Sequence, residues 1–278
     1  MVKIIKKKGS KLFKSKSQID LYRGYGIKLK KYLTLETLPL GIQLLKEIEQ
    51  VPEYSKRPKK DLGYHLSLCQ AMAISRRNSE SFSMFKEDMW CFEPVIGLGF
   101  EKAPKYFLDG NNRYPGTART IEAGKNWAKN FPHFEYGKYY GIAFSPLKTI
   151  NFKPDMMLLY CNPAQITQIM IAVNWIDGND VLCRVSGHAG CVYAIVPTLQ
   201  NKQFQITVPC LGDRKRAMAQ NYEIIFSFPT ELANDLIMAL ENLEKSGSGL
   251  PVDFQQFPEY NLEDSYKKIG KIIGMDIN

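Results

Sequence analysis

One stretch constrains the fold of this chain more than any other: Met156-Met-Leu-Leu-Tyr160, running through Cys161-Asn162-Pro163 into residues 164–175. Five consecutive apolar residues read as a strand, and the longer segment after the turn reads as a helix. Asn162 offers a side-chain acceptor to the free N–H groups of a helix start, and Pro163 has the fixed φ of a first helical residue. The pattern then repeats. Residues 181–186 read as a strand entering Gly187-His188-Ala189-Gly190, followed by a helix over 191–195 that stops near Pro197. Residues 204–208 form the next strand and run into Pro209-Cys-Leu-Gly-Asp-Arg214, and a strand over 222–228 leads through Pro229-Thr230 into a helix over 231–245.

Repeated strand-turn-helix units predict an α/β fold with a mixed sheet, a mixed α+β layout being the alternative. Ligands in such folds gather at the carboxyl ends of strands and the turns that follow. The turns after residues 160, 186 and 208 are therefore expected to share one wall of a pocket.

The first half is less regular. Residues 18–33 place Ile19, Leu21, Tyr22, Tyr25, Leu29 and Leu33 at helical spacing, against the weakening effect of Gly24 and Gly26. A strand over 38–45 is followed by a Pro- and Lys-rich surface connection over 51–62, then a helix over 64–77 on which Cys69 shares a face with Leu66 and Ala73. Residues 78–88 read as a polar loop, Arg113 and Arg119 as solvated surface cations with anion binding as the alternative, 115–130 as an exposed helix and 139–144 as a strand. Ser246-Gly-Ser-Gly249 marks a linker, and the stripe Leu262, Tyr266, Ile269 and Ile273 is expected to dock on the body. The organisation is thus a basic arm over 1–17, one α/β domain over 18–245, and a linker with an amphipathic tail over 246–278.

Charge and composition exclude several classes. The net charge of +9 includes seven lysines in residues 1–17 and no acid there, so the rest of the chain carries 9 − 7 = +2. Nucleic-acid binders spread cations over a folded face, so nucleic acid is not an expected partner except through the arm, which reads first as a solvated tail. No apolar run reaches the roughly 20 residues of a membrane span. The basic start lacks the apolar core of a secretory signal, and a cytoplasmic address follows. The six cysteines form no Cys-x-x-Cys pair, and in a reducing compartment they are expected to be buried, metal-bound or redox-active rather than disulfide-bonded. Phosphate-loop, zinc-helix and nucleophile-elbow motifs are absent, and Gly97-Leu-Gly99 lacks the third glycine of a dinucleotide fingerprint.

The chemistry-bearing residues cluster in the turns of the second half. Gly187 and Gly190 open a helix whose N–H groups favour an anion or a thiolate. Cys191 at that helix start and Cys210 near Arg214 are candidate low-pKa nucleophiles, with His188 as a candidate base. Gly212 frees the next turn, Arg214 has the fork that pairs with a carboxylate or phosphate, and Asp213 either fixes that arginine or caps the following helix.

Taken in order, Cys69-Gln70, Cys91 followed by Gly97-Leu-Gly-Phe100, Tyr160-Cys-Asn-Pro-Ala-Gln165, Ser186 with Cys191, and Pro209-Cys-Leu-Gly-Asp-Arg214 resemble the prokaryotic family labelled domain of unknown function 169. The resemblance covers roughly residues 24–245 and implies no activity. It implies that Cys69, Cys91, Cys191 and Cys210 hold the family's characteristic positions. One departure is Cys91-Phe-Glu-Pro94, where the family has Cys-Pro-Gly-Gly. Cys161 and Cys183 are then core thiols. If those four cysteines converge, they would suit an iron–sulfur cluster or zinc. The competing expectation is a metal-free module that binds a small anionic metabolite at the Gly-Asp-Arg turn. The partners would be that anion or a redox protein, and a homo-oligomer is compatible with either.

Overall fold

The computed structural model describes residues 2–250 and 263–275, with side chains from Ser17 onward. The arm's lysine side chains and Leu262 of the C-terminal stripe lie outside the described residues. Helix α1 (Val2–Tyr32) precedes β1 (Leu40–Leu45), α2 (Leu68–Asn78), β2 (Phe82–Phe85), α3 (Phe92–Gly97), α4 (Lys105–Leu108) and α5 (Ile121–Lys129). After these come β3 (Gly141–Pro146), β4 (Met156–Cys161), α6 (Pro163–Asp177), α7 (Gly190–Asn201), β5 (Gln205–Thr207), α8 (Leu211–Arg216), β6 (Ile224–Pro229), α9 (Ala233–Lys245) and α10 (Asp264–Ile272).

The strands form one six-stranded sheet in the order β2-β3-β1-β4-β6-β5. Among the described residues every ladder between these strands is antiparallel, including β1 with β3 and β4, and β6 with β4 and β5. Helices cover both faces, which is why β4 is continuously apolar. Met156, Leu158 and Tyr160 enter the core shared with α2, α3 and α7, whereas Met157, Leu159 and Cys161 enter the core shared with α1, α6 and α9. The period-two alternation of a strand sorts one apolar run into two cores.

The turn after β4 forms as its residues dictate. Gln165 N donates to Asn162 Oδ1 at 2.9 Å and Asn162 N donates to Gln165 Oε1 at 2.7 Å, a reciprocal cap with Pro163 in the first turn. Helix α2 starts at Leu68 rather than at residue 64 for the same reason, because Ser67 and Gln70 make the equivalent pair at 2.9 and 3.1 Å.

Several expectations are corrected. Residues 181–186 form no strand. Ile206 N donates to Cys183 Sγ at 3.0 Å, and the side-chain amides of Gln203 and Gln205 take the carbonyls of Leu182 and Arg184, so side chains occupy positions that a ladder would use. The 78–88 loop contains β2, whose four residues are all buried within charged flanks. Helix α7 continues through Pro197 to Asn201; the hydroxyls of Thr198 and Ser227 both donate to Ala194 O there, supplementing the backbone near the missing N–H. In the C-terminal stripe Tyr266, Ile269 and Ile273 are exposed instead of docked. Among the described residues no helix is long and apolar enough to cross a membrane.

Candidate functional site

Two glycines draw three helices together on one face of the sheet. A Cβ on Gly190 would stand 2.9 Å from both Val208 O and Cys210 N, so α7 begins in backbone contact with the turn that leads into α8. A Cβ on Gly97 would meet Val192 Cγ1 at 2.4 Å, which places α3 against the same helix. Without a side chain at these two positions the elements approach more closely than any other residue allows. Between them and α2 lies a cavity of about 270 Å³, and Cys69, Cys91, Cys191 and Cys210 all line it.

Each sulfur comes from a different element. Cys69, in the first turn of α2, lies 3.3 Å from Ser67 Oγ, and burial, reinforced by Asp213, pushes its thiol up to about 12. Cys91 is the N-cap of α3 and donates to Glu93 Oε2 at 2.9 Å; burial and then the Glu93 charge raise it. Cys191, in the first turn of α7, is raised well above its ordinary value by burial first, then by Cys69 and Cys210. Cys210 caps α8 by accepting from Asp213 N at 3.4 Å. All four are free thiols. Among the described residues no group of three or more His, Cys, Asp or Glu side chains is arranged to hold a metal ion.

The cavity's charged wall was not legible in the sequence. Arg113 is only 8% exposed rather than a solvated surface cation. Its Nη2 donates to Glu93 Oε1 at 3.2 Å, its Nη1 donates to His188 Nδ1 at 3.2 Å, and its guanidinium lies 3.7 Å over the ring of Trp127. Nδ1 of His188 therefore accepts, and burial followed by the Arg113 charge lowers the imidazole's pKa. His188 is thus a neutral partner of Arg113, with no hydrogen bond to either candidate nucleophile among the described residues. Arg113 stands in a polar turn with no periodicity to betray burial, and Glu93, Trp127 and His188 come from three other segments.

Gly187 and Gly212 also line the cavity. Asp213 sits behind the lining: Tyr160 donates to its Oδ2 at 3.0 Å, its Oδ1 has no partner, and burial raises it to about 6. Tyr160 is held from below by Arg76, 3.8 Å over its ring, and Arg76 pairs with the buried Glu223 at 2.5 and 2.9 Å. Arg214 points elsewhere, donating to the carbonyls of Gln220 and Glu223, and is not among the lining residues. The fork expected to grip an anion instead ties down the connection to β6. Of the three turns expected on one wall, those after residues 186 and 208 reach the cavity, and β4 contributes through Tyr160 beneath it. The antiparallel order still leaves β4 and β5 pointing the same way, because both pair with β6.

The model of the family described as Uncharacterised ArCR, domain of unknown function 169, matches residues 28–239. The chain belongs to this family. A curated relative, the uncharacterized protein MJ0308 of Methanocaldococcus jannaschii, is 22% identical over 221 residues, which cover 78% of this chain and 93% of that protein. No solved structure matches the chain. The ArCR match spans the four cavity cysteines, Arg113 and His188, and leaves out most of α1 and all of α10.

Proposed function

We propose that this ArCR protein uses its four-cysteine cavity to hold a soft, thiolate-bound inorganic group, an iron–sulfur cluster suiting it better than zinc. The observation that carries this reading is the gathering of four thiols, from α2, α3, α7 and α8, around one cavity of about 270 Å³. A single zinc needs its sulfurs about 2.3 Å from one point, and among the described residues no group of three or more donors is arranged to hold a single ion. A cluster binds each thiolate through a separate iron, so its ligands stand further apart.

The surroundings favour this over nucleophilic thiol chemistry. A nucleophile acts as the thiolate, and burial with nearby carboxylates holds Cys69, Cys91 and Cys191 in the neutral form. Arg113, the buried cation of the cavity wall, bonds to Glu93 and His188 and to none of the four thiols among the described residues. Several thiolates gathered around one cavity need positive charge that arrives with the ligand, and a metal core brings it. When bound, such a group would supply electron transfer. The chain's own part is to shape the cavity, exclude water and position the four sulfurs.

Anaerobic purification followed by visible spectroscopy and by iron, sulfide and zinc analysis tests the proposal. Sulfur-to-iron charge-transfer absorption is expected, weakened by Ser at position 69, 91, 191 or 210 and retained in Cys183→Ser. Colourless, metal-free protein would sink it, and stoichiometric zinc without iron would replace the cluster by a single ion.

A further inference from the structure

The part of the cavity wall that carries Cys191 holds a second kind of chemistry. Helix α7 is twelve residues long, and its N-cap, Ala189, has a left-handed φ of 51° and no side-chain cap for the free N–H groups of the first turn. Gly187, His188 and Ala189 line the cavity at that helix start. The positive end of the helix therefore faces enclosed space with no side chain to answer it.

The second observation is independent of the helix. Arg113 is more than nine-tenths buried, lines the same cavity, and has a buried Nε with no hydrogen-bond partner. The face of Trp127 fixes the plane of its guanidinium. Burial lowers its pKa, and Glu93 acts in the opposite direction. Nη1 and Nη2 of Arg113 are held by His188 and Glu93, so a ligand with two acceptor oxygens takes the fork by displacing Glu93.

We infer that the cavity binds a small oxyanion, a carboxylate or a phosphate, between the Arg113 guanidinium and the N-terminus of α7. The site uses no sulfur and does not rest on the thiolate-bound group, though both would share one chamber. Glu93 supplies the anionic oxygen already beside Arg113, at 3.2 Å, and an incoming oxyanion competes with it. This differs from an anion site at the Gly-Asp-Arg turn, because the cation is Arg113 and not Arg214.

The full-length protein is titrated by calorimetry with sodium formate and, separately, with inorganic phosphate, against sodium chloride at matched ionic strength. Saturable binding of one ligand per chain is expected for at least one of them. Formate alone assigns the carboxylate class and phosphate alone the phosphate class. Glu93→Gln removes the competitor and tightens binding about tenfold, whereas Arg113→Lys loses the fork and weakens it about tenfold. Ala189→Asp puts a carboxylate at the uncapped helix start and abolishes binding with the circular dichroism spectrum unchanged. If Arg113→Lys fails to fold, the other two variants decide. No saturable binding of either anion, or binding indifferent to Glu93→Gln and Ala189→Asp, overturns the inference. Iron is counted on the same samples: metal-free protein that still binds formate retains this site and loses the cluster, and iron-loaded protein that binds neither anion does the reverse.

Discussion

The two faces of the sheet are packed on different terms. On the face covered by α1, α6 and α9 the core is aliphatic and aromatic, with Leu29, Leu33, Phe226 and Phe228 fully buried and the rings of Phe204, Phe226 and Phe228 in mutual contact. On the other face lie the four cavity thiols, Arg113, Asp213 and the Arg76–Glu223 pair. The orphaned polar atoms follow the same division. Among the described residues, buried side-chain donors and acceptors without partners occur on Ser75 and Arg76 of α2, on Asn112, Arg113 and Trp127, on Gln205 and Thr207 of β5, and on Asp213. Ile206 packs on the dry face, so its neighbours in β5 point to the cavity side. Unpaired buried polar atoms cost free energy. Their confinement to one face shows that the polar groups left unpaired lie on the cavity side of the sheet.

The largest expected effect tests the dry face. Phe226→Ala removes a fully buried ring stacked 5.8 Å from Phe204 and should cost about 3–5 kcal/mol in denaturant unfolding. Cys191→Ala on the opposite face removes a single sulfur and should cost well under half of that, while lowering the metal loading of the cavity. Equal losses for the two variants would break the comparison.

Next is the pH dependence of Asp213 in metal-free protein. Burial raises its folded pKa to about 6 from 3.8, so the folded state holds this proton more tightly than the unfolded chain does. The resulting stabilisation is fully present below about pH 4 and is lost as pH rises through about 6. The difference in stability between the parent and Asp213→Asn should therefore move against the parent across that window, by up to about 2–3 kcal/mol. A difference that stays flat with pH would mean that Asp213 is better satisfied than its lone Tyr160 contact suggests.

What could be read from the sequence was what short-range hydrogen bonding or periodicity decides. Asn162, Pro163 and Gln165 specify their helix start within four residues, and the alternating strand character of 156–160 needs no distant partner. The cysteine set was legible only as an ordered series of short motifs, since α2, α3, α7 and α8 meet through tertiary packing at Gly97 and Gly190. Arg113 was misread because its burial is decided by Glu93, Trp127 and His188, between 14 and 75 positions away. Arg214 was misread in the opposite sense, for its neighbours in sequence suggested a site while the carbonyls of Gln220 and Glu223 turn it outward. Residues 181–186 have strand composition, yet Cys183 and two glutamine side chains take over the edge of β5.

A smaller effect sharpens the role of backbone contact on the cavity face. Gly190→Ala places a methyl 2.9 Å from Val208 O and Cys210 N, backbone atoms that yield only if α7 and the α8 turn separate. The cost should be about 1–3 kcal/mol, and Cys191 should move away from Cys210, seen as lower metal loading or slower bridging of the two thiols by a bifunctional reagent. Gly212→Ala, whose added carbon would lie 3.7 Å from Cys210 Sγ, should leave loading almost unchanged. Equal behaviour of the two variants would remove Gly190 as the determinant of the gathering.

The smallest effect returns to the dry face. Lys28 on α1 reaches Glu241 on α9 at 3.5 Å, with both side chains substantially in water. Solvent and salt screen such a pair, and holding two long side chains in one geometry offsets most of the attraction. Lys28→Ala should therefore leave the thermal midpoint unchanged within error, at low and at high salt. If it lowered the midpoint in a salt-dependent way, the packing of α1 on α9 would depend on charge as well as on Tyr25, Leu29 and Leu236. The dry face would then be sensitive to electrostatics in the way expected of its opposite alone.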